Sequence, residues 1–494
     1  MRIRRWTAHR LHRWAGLAAG LWLAVLGATG FILDHRDWRW LWQAGVPESL
    51  VPERIVAKRD TGAMRLYQII DTEQRLAGGP AGLWWSEDRG RHWQPTDFGH
   101  RGVPHVHQLL RLADYWVLAT DDGLWLTDDN GRSAAPWLLA GHNITALAPR
   151  DRDSLFGVED RSRIFVARLG SSEPVWLTLG SIRAEALPKR IDLSRLVHDL
   201  HFGRGLFRSP WSLWWSDVTA IGFCLMPLGG FLYWWLPRYW RRRRQGGRPV
   251  RKSTKQRLVR WLYRAHAPVL GLLIVIPLLY MSLTGILLDH MPELRGWMKR
   301  THLGQPALPP VYRLPIWRNE IYSLVSQPGN PKRFSVGTRL GLFATIDGGR
   351  HFQRVLPAGK QARFIWSARQ DQGLIMLGGM GGPNYLGRLR PDQVISWRPL
   401  PPGAPMPTDV TRDADGRTVW KTPRGLKFWD GEAFRDSPDN LPRLGHVPWF
   451  HVVDGLHSGL LFHPQWKWVN DAVALLAVLL VITGLWRWWK VQWL

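Results

Sequence analysis

Four long stretches of the chain carry almost no charge: Ala15–Leu33, Val218–Leu236, Ala267–Leu288 and Val469–Trp489. Each holds about 20 residues, and at about 1.5 Å of rise per residue such a helix crosses the roughly 30 Å hydrocarbon layer of a bilayer. Backbone polar groups cannot be left unsatisfied in lipid, so these runs must be helical. The expectation is a membrane protein with four transmembrane helices. The first run is too long for the apolar core of a signal peptide, and Gly30-Phe31-Ile32-Leu33-Asp34-His35 offers no small-x-small cleavage site. It is therefore read as a retained helix.

The net charge of +27 raises the question of nucleic acid, and its location answers it. Residues 1–14 hold five Arg, and residues 237–264 hold twelve Lys or Arg, with no acid in either stretch. Both stretches flank apolar helices, where basic residues mark the cytoplasmic side. The charge is read as topology and contact with lipid head groups, with no nucleic-acid partner. Both termini and the Arg-rich middle loop are then cytoplasmic, and the long segments 34–216 and 289–468 lie outside. Many of the 33 Trp sit at helix ends, Trp14, Trp38, Trp40, Trp211, Trp214, Trp234, Trp235, Trp486 and Trp489 among them, as an interfacial aromatic belt requires. Cys224 is the single cysteine, which excludes intramolecular disulfides, the C-x-x-C-H attachment of c-type haem, and thiolate-bound iron–sulfur clusters.

The two halves match at an offset of about 255 residues. Thr29-Gly30-Phe31-Ile32-Leu33-Asp34-His35 corresponds to Thr284-Gly285-Ile286-Leu287-Leu288-Asp289-His290. Leu200-His201-Phe202-Gly203 corresponds to Leu456-His457-Ser458-Gly459, and Gly230 to Gly484. Each copy spans the membrane twice, so the copies are parallel repeats about an axis along the membrane normal.

The insertions between the helices have a shorter period. Ser86-Glu87-Asp88-Arg89-Gly90-Arg91-His92-Trp93 resembles an Asp-box, a hairpin turn shaped by Asp and Gly over a packed aromatic. Gly123-Leu124-Trp125-Leu126-Thr127-Asp128-Asp129-Asn130-Gly131 follows 41 residues after Gly82, and Ser154–Val166 falls where a third unit belongs. In the second half, Gly341–Phe352, Asn384–Gly387 and Gly425–Trp429 follow the same spacing. Units of about 40 residues built from short strands are the signature of β-propeller blades. Three units per half do not close a ring, whereas six do. The expected fold is thus membrane α-helical with two parallel repeats, plus one all-β extracytoplasmic domain. That domain is expected to be a six-bladed propeller assembled from both insertions; two separate β-domains are the alternative. Asp-boxes serve turns in enzymes and non-enzymes alike, so they speak to fold only.

Six histidines stand at helix ends: His12 and His266 on the cytoplasmic side, and His35, His290, His201 and His457 on the outer side. Ionisable groups near membrane depth are costly and usually functional, and neutral imidazole is a common axial ligand of b-type haem. Gly16, Gly20, Gly27 and Gly30 could make room for a flat macrocycle, or serve close helix packing. His12 and His35 are 23 residues apart, about 34 Å along a helix. Two arrangements stay open: stacked haems pairing His12 with His266 and His201 with His457, or outer haems pairing His35 or His290 with His201 or His457. The histidines of the β-units, including His105 and His107, read as ordinary surface or turn residues.

Leu11-His12-Arg13-Trp14-Ala15-Gly16-Leu17, Thr29-Gly30, Leu456-His457-Ser458-Gly459 and Thr483-Gly484-Leu485-Trp486 resemble, in order, the motifs of the PepSY-associated transmembrane family. The resemblance covers about a quarter of the chain, and a PepSY domain is not recognisable beside it. Family members include inner-membrane siderophore reductases, which implies two b haems and reduction of ferric iron. The domain reading is residues 1–36 for helix 1 with a cytoplasmic N-terminus, 37–197 for the first periplasmic insertion, and 198–240 for helix 2. A basic cytoplasmic loop occupies 241–265, helix 3 occupies 266–291, the second periplasmic insertion 292–450, and helix 4 451–494. The functional expectation is a haem-b oxidoreductase of the bacterial inner membrane, with His12, His201, His266 and His457 as iron ligands. A quinol or separate donor would supply electrons, and a periplasmic ferric siderophore would receive them. The alternative is a non-enzymatic membrane-anchored propeller serving binding, assembly or sensing.

Overall fold

The structure is a computed structural model, and it describes residues 2–492 apart from 128–129, 247–250, 313–316, 357–362, 372, 381–382, 390–394, 402–403, 414 and 430–432. Asp128 and Asp129 of the second turn motif lie outside the described residues. The chain divides into two compact units, each assembled from segments far apart in sequence.

The first unit comprises Met1–Arg36, Leu196–Met298 and Val452–Leu494. Its elements are α1 (Arg2–Asp34), α2 (Leu193–His201), which runs into it, α3 (Trp211–Gln245), α4 (Lys252–Arg264), α5 (Leu272–Asp289), α6 (Trp449–Ser458) and α7 (Lys467–Gln492). A π-helical turn, Ala265–Gly271, joins α4 to α5. Four helical segments are long and apolar enough to span a bilayer: Ala8–Asp34, Trp211–Gln245, Lys252–Asp289 and Pro464–Lys490. Ala19 and Leu23 pack against Val473 and Ala477, with Trp22, Leu278 and Leu480 around them. A Cβ at Gly27 would lie 2.7 Å from the Ala220 carbonyl oxygen, so only glycine lets α1 and α3 approach this closely. Leu21 is 80% exposed and Ile276 68%, which a water-facing bundle would not tolerate but lipid does. This is a multi-pass membrane protein.

The structure departs from the sequence reading where helices 2 and 4 begin. His201 and His457 do not start the spanning helices; they end the short helices α2 and α6. Gly203 (φ 67°) and Gly459 (φ 77°) then turn the chain in the left-handed region. A Cβ there would lie 2.0 Å from Ser216 Oγ and from Trp466 Cδ1 respectively, so the glycine of each L-H-x-G motif is a helix stop.

The second unit, Asp37–Arg195 with Lys299–His451, is a β-propeller. Among the described residues it holds six four-stranded antiparallel sheets, each with its strands in sequence order. Their first strands are Leu66–Ile69, Val106–Leu112, Ile144–Pro149, Ser323–Ser326, Phe364–Asp371 and Asp409–Arg412. Each first strand neighbours the next, and the sixth neighbours the first. Alternation of the strands explains the cores: apolar residues of successive sheets interleave, as Leu110, Leu124, Leu147 and Phe165 do between the second and third.

The two insertions meet at two seams, so they form one body and not two β-domains. At one seam Asp409 Oδ2 accepts from Tyr67 N at 2.9 Å and Gln68 Nε2 at 2.8 Å, and Tyr67 and Ala77 pack on Val419 and Leu426. At the other, Ile321 N donates to Arg161 O at 2.9 Å and Asn319 N to Ser162 Oγ at 2.9 Å. Two-stranded ties, Gly45–Val46 with Val447–Pro448 and Arg190–Asp192 with His302–Gly304, close the ends of the insertions.

The period of 41 residues is that of the third strands, Gly82–Ser86, Gly123–Thr127, Leu342–Thr345, Tyr385–Leu389 and Gly425–Trp429 among them. The Asp-boxes close third-to-fourth-strand hairpins. Ser86 Oγ accepts from Gly90 N at 2.9 Å and Asp88 Oδ1 from His92 N at 2.8 Å; Thr345 and Asp347 repeat this with Gly349 and His351. Hydrogen bonds from the following histidine hold both Asp carboxyls well below the ordinary range.

Candidate functional site

The histidines of the membrane unit are organised by threonines. Thr29 Oγ1 donates to the Val25 carbonyl at 2.6 Å, Thr284 Oγ1 to Tyr280 at 2.7 Å, and Thr483 Oγ1 to Leu479 at 2.7 Å. A hydroxyl has one proton to donate, and in each case the backbone takes it. The same oxygens meet a histidine Nδ1: Thr29 with His457 at 2.8 Å, Thr284 with His201 at 3.1 Å, and Thr483 with His12 at 2.9 Å. With the hydroxyl proton on the backbone carbonyl, each oxygen accepts from Nδ1–H, and Nε2 then keeps its lone pair. That is the tautomer a metal ligand needs, with its orientation fixed from the second ring nitrogen.

The glycine after each threonine lets the ring lie against the helix. A Cβ at Gly30 would be 3.6 Å from His457 Cε1, at Gly285 3.6 Å from His201 Cε1, and at Gly484 3.3 Å from His12 Cε1. The T-G elements are thus seats for imidazole, one part holding the ring and the other admitting it.

The fourth seat is incomplete. Gly229-Gly230 on α3 stands where Thr483-Gly484 stands on α7, and His266 occupies it, with Cε1 3.1 Å from a Cβ built at Gly230. Without a hydroxyl at 229, the buried His266 Nδ1 has no side-chain hydrogen bond among the described residues, and the ring faces the Met226 backbone instead. His266 also sits on the π-helical turn, where Pro268 cannot donate to the backbone ladder.

The contacts bring His12 to His266, with ring centroids 6.4 Å apart and planes at 84°. His201 and His457 lie within electrostatic range of each other. His35 and His290 are tied to protein groups instead. His35 Nδ1 meets the Phe31 carbonyl at 2.9 Å, and His290 Nε2 meets Asp471 Oδ2 at 2.8 Å.

A cavity of about 720 Å³ opens beside His12 and His266, lined also by Gly16, Gly20, Pro227 and Gly484. Arg13, Arg238 and Arg487 stand in its wall, and Arg13 Nε is buried without a hydrogen-bond partner among the described residues. Two imidazoles cannot by themselves satisfy a structural metal ion, which takes about four ligands. Among the described residues no group of three or more His, Cys, Asp or Glu could hold a bare ion. The pair, with the cavity beside it, could hold a b-type haem, whose carboxylates the guanidiniums would offset.

A sequence model of the PepSY-associated TM region matches residues 9–490. The chain belongs to this family. In this PepSY-associated protein the family's helices carry the T-G seats, and the propeller's segments lie between those helices in sequence. No curated protein matches the chain. Similar solved structures include an ancestral GH74 enzyme (9% identity, 81% of this chain and 39% of that one, TM-score 0.35) and YCF48 from Cyanidioschyzon merolae (9%, 72% and 78%, 0.31). The extracellular domain of the putative hybrid two component system BT4673 from B. thetaiotaomicron is another (13%, 78% and 35%, 0.35). The chain spans about two fifths or less of the length of the first structures it matches.

The L-H-x-G and T-G motifs were visible in sequence; that they meet across the repeats was not. His105 and His107, read as surface residues, are respectively buried and half-buried, and burial with Arg161 and Arg65 nearby holds His107 down to about 3. A histidine two residues from another at the start of an inner strand was the available signal.

Proposed function

We propose that this PepSY-associated protein is a bacterial inner-membrane electron-transfer protein holding two b haems, with His12 and His266 on one and His201 and His457 on the other. The observation that carries the reading is the His12–His266 pair, spaced at 6.4 Å and crossed at 84°, beside a cavity with cationic walls. Bound haem would supply one-electron oxidation and reduction. The protein's own part is to hold three of the four imidazoles on threonine hydroxyls, to exclude water with the surrounding apolar helices, and to offset carboxylate charge with Arg13, Arg238 and Arg487. The distribution of basic residues supports cytoplasmic termini and a periplasmic propeller. Electrons would then pass from a quinol or another donor toward a periplasmic acceptor, and the family resemblance favours a ferric siderophore.

The second reading is a membrane-anchored propeller that binds or assembles without redox chemistry; the family membership and the propeller support it without the histidines. A visible spectrum of the purified chain separates the two. The first expects a dithionite-reduced α-band of bis-histidine haem b and two haems per chain by pyridine haemochrome. A colourless protein, from cells supplied with haem precursor, would leave the second.

A further inference from the structure

The start of the propeller's inner strands gathers cations that the histidine seats do not use. Arg65 immediately precedes the first strand of the first sheet, and His107 lies on the first strand of the second. Arg161 is carried by the hairpin Glu159–Arg163 of the third sheet, where Asp160 and Arg161 both adopt left-handed backbone (φ 45° and 54°). Side-chain-bearing residues seldom do so, and the turn is held by Asp160 N on the Asn143 carbonyl at 2.9 Å and Ser162 N on Glu159 O at 2.8 Å.

The neighbouring cations have work of their own. Arg369 donates to Gln108 Oε1 at 3.2 Å and lies 3.6 Å from Asp409, and Lys421 Nζ donates to the Thr61 and Thr422 carbonyls at 3.1 and 2.7 Å. Arg65 and Arg161 have no carboxylate partner among the described residues. Each guanidinium instead lies over an aromatic ring, Arg65 over Trp42 at 5.0 Å and Arg161 over Tyr322 at 4.8 Å. Trp42 is itself fixed, buried and stacked on Phe450 at 4.1 Å.

Arg65 is open to solvent, yet enough protein surrounds it that burial, and then the charge of Arg161, lower its pKa to about 10. Its place at the start of the innermost strand of its sheet puts it beside the axis of the propeller. The same two arginines depress Lys421 or His107, so the space between them is electropositive. Guanidiniums with no carboxylate partner, each held over an aromatic ring, are suited to recognition of oxyanions.

We propose that this mouth of the propeller channel is a binding site for a small multivalent oxyanion, gripped by Arg65 and Arg161 over Trp42 and Tyr322. The site does not depend on haem. Two anionic chemistries, polycarboxylate and polyphosphate, would satisfy it, and separate probes tell them apart. The test is isothermal titration of citrate, and separately of pyrophosphate, into the full-length chain in phosphatidylcholine nanodiscs. One site per chain is expected for at least one probe, weakening steeply with added sodium chloride. Arg65→Gln and Arg161→Gln should each weaken it about tenfold or more, and Arg65→Lys, which keeps charge but loses the fork, should weaken it as well. Arg89→Gln, on an exposed hairpin where Arg89 pairs with Glu73, should change nothing. An unchanged thermal midpoint in the lysine variant guards against misfolding. Absence of binding by both probes to the wild type, or binding that survives the double glutamine variant, overturns the proposal.

Discussion

The incomplete fourth seat makes a quantitative test of how the others work. Gly229→Thr should supply the hydroxyl that His266 lacks. Room exists for it: a Cβ at Gly229 meets only His266, 3.5 Å from Nδ1 and 3.8 Å from its Cβ, both ordinary van der Waals contacts. Gly229 is inside α3 with helical backbone, so threonine is not strained there, and its Oγ1 can donate to a backbone carbonyl one turn earlier as the other three do. An interhelical hydrogen bond in a membrane protein contributes about 0.6 kcal/mol on average. Replacing glycine by threonine inside a helix adds a few tenths of a kcal/mol. The total is about 1 kcal/mol, which for a chain of this size raises the thermal midpoint by about 1 °C.

That gain needs no haem and tests the seat alone. The electronic consequence tests the ligand reading. A hydrogen bond accepted from Nδ1–H makes the imidazole a stronger donor and favours the oxidised iron. If the whole bond energy of about 0.6 kcal/mol falls on that state, the midpoint of one centre drops by about 25 mV, since about 1.4 kcal/mol corresponds to 59 mV for one electron. Potentiometric titration followed in the visible region reads this shift against an unmoved second centre. Gly230→Ala is the opposing control, because its Cβ would press on His266 Cε1 at 3.1 Å. An unchanged thermal midpoint together with unchanged potentials in Gly229→Thr would refute the reasoning that the hydroxyl holds the ring.

Other expected outcomes follow from the same contacts. Thr483→Val keeps the shape of the seat but removes the hydroxyl that meets His12 Nδ1, and should lower haem affinity about 10- to 100-fold, read by transfer of haem to apomyoglobin. His12→Ala and His266→Ala should each abolish one centre and His201→Ala and His457→Ala the other, whereas His35→Ala and His290→Ala should keep two haems per chain by pyridine haemochrome. In the propeller, burial raises Asp409 from 3.8 to about 6 against the pull of Arg369. The folded protein therefore holds an extra proton between those values, and the stability contributed by this group falls as pH rises from about 4 to about 6. Asp409→Asn should flatten the thermal midpoint across that window; an unchanged slope would exclude Asp409 as its source.

What was legible in the sequence follows from the range over which each signal acts. Hydropathy is local and accumulates over a span, so all four spanning helices could be read, down to the basic stretches beside them. The propeller was legible because its units repeat: a single Gly82–Trp93 hairpin means little, but its return at Gly123 and Gly341 sets a period. Where the second and fourth spans begin could not be read from L-H-x-G. Its glycine at 203 or 459 instead ends a separate helix, a distinction that depends on a backbone angle. The threonine–histidine pairings were not legible at all. Thr29 and His457 are 428 residues apart, and Thr483 and His12 are 471 apart. One sequence carries no signal that joins such positions. Arg65 and Arg161 were missed for a related reason, since a propeller brings strand starts together around a ring that sequence spacing does not describe.

The pairings give the duplication a meaning that repetition alone does not have. Every histidine seat is made between repeats: His12 of the first sits on Thr483 of the second, His201 on Thr284, His457 of the second on Thr29 of the first, and His266 on Gly229. The ring pair His12–His266 also crosses the repeats. One repeat alone would hold histidines without seats and seats without histidines, with its three sheets unable to close. The propeller seams obey the same logic, because Asp409 of the second insertion receives Tyr67 and Gln68 of the first. Membrane and β units therefore impose one requirement on the chain, that both copies be present and folded together. Having two copies in one polypeptide also frees them to diverge. Gly229 in place of a threonine is such a divergence, and it leaves His266 as the one imidazole of the four whose orientation is set by packing without a hydroxyl.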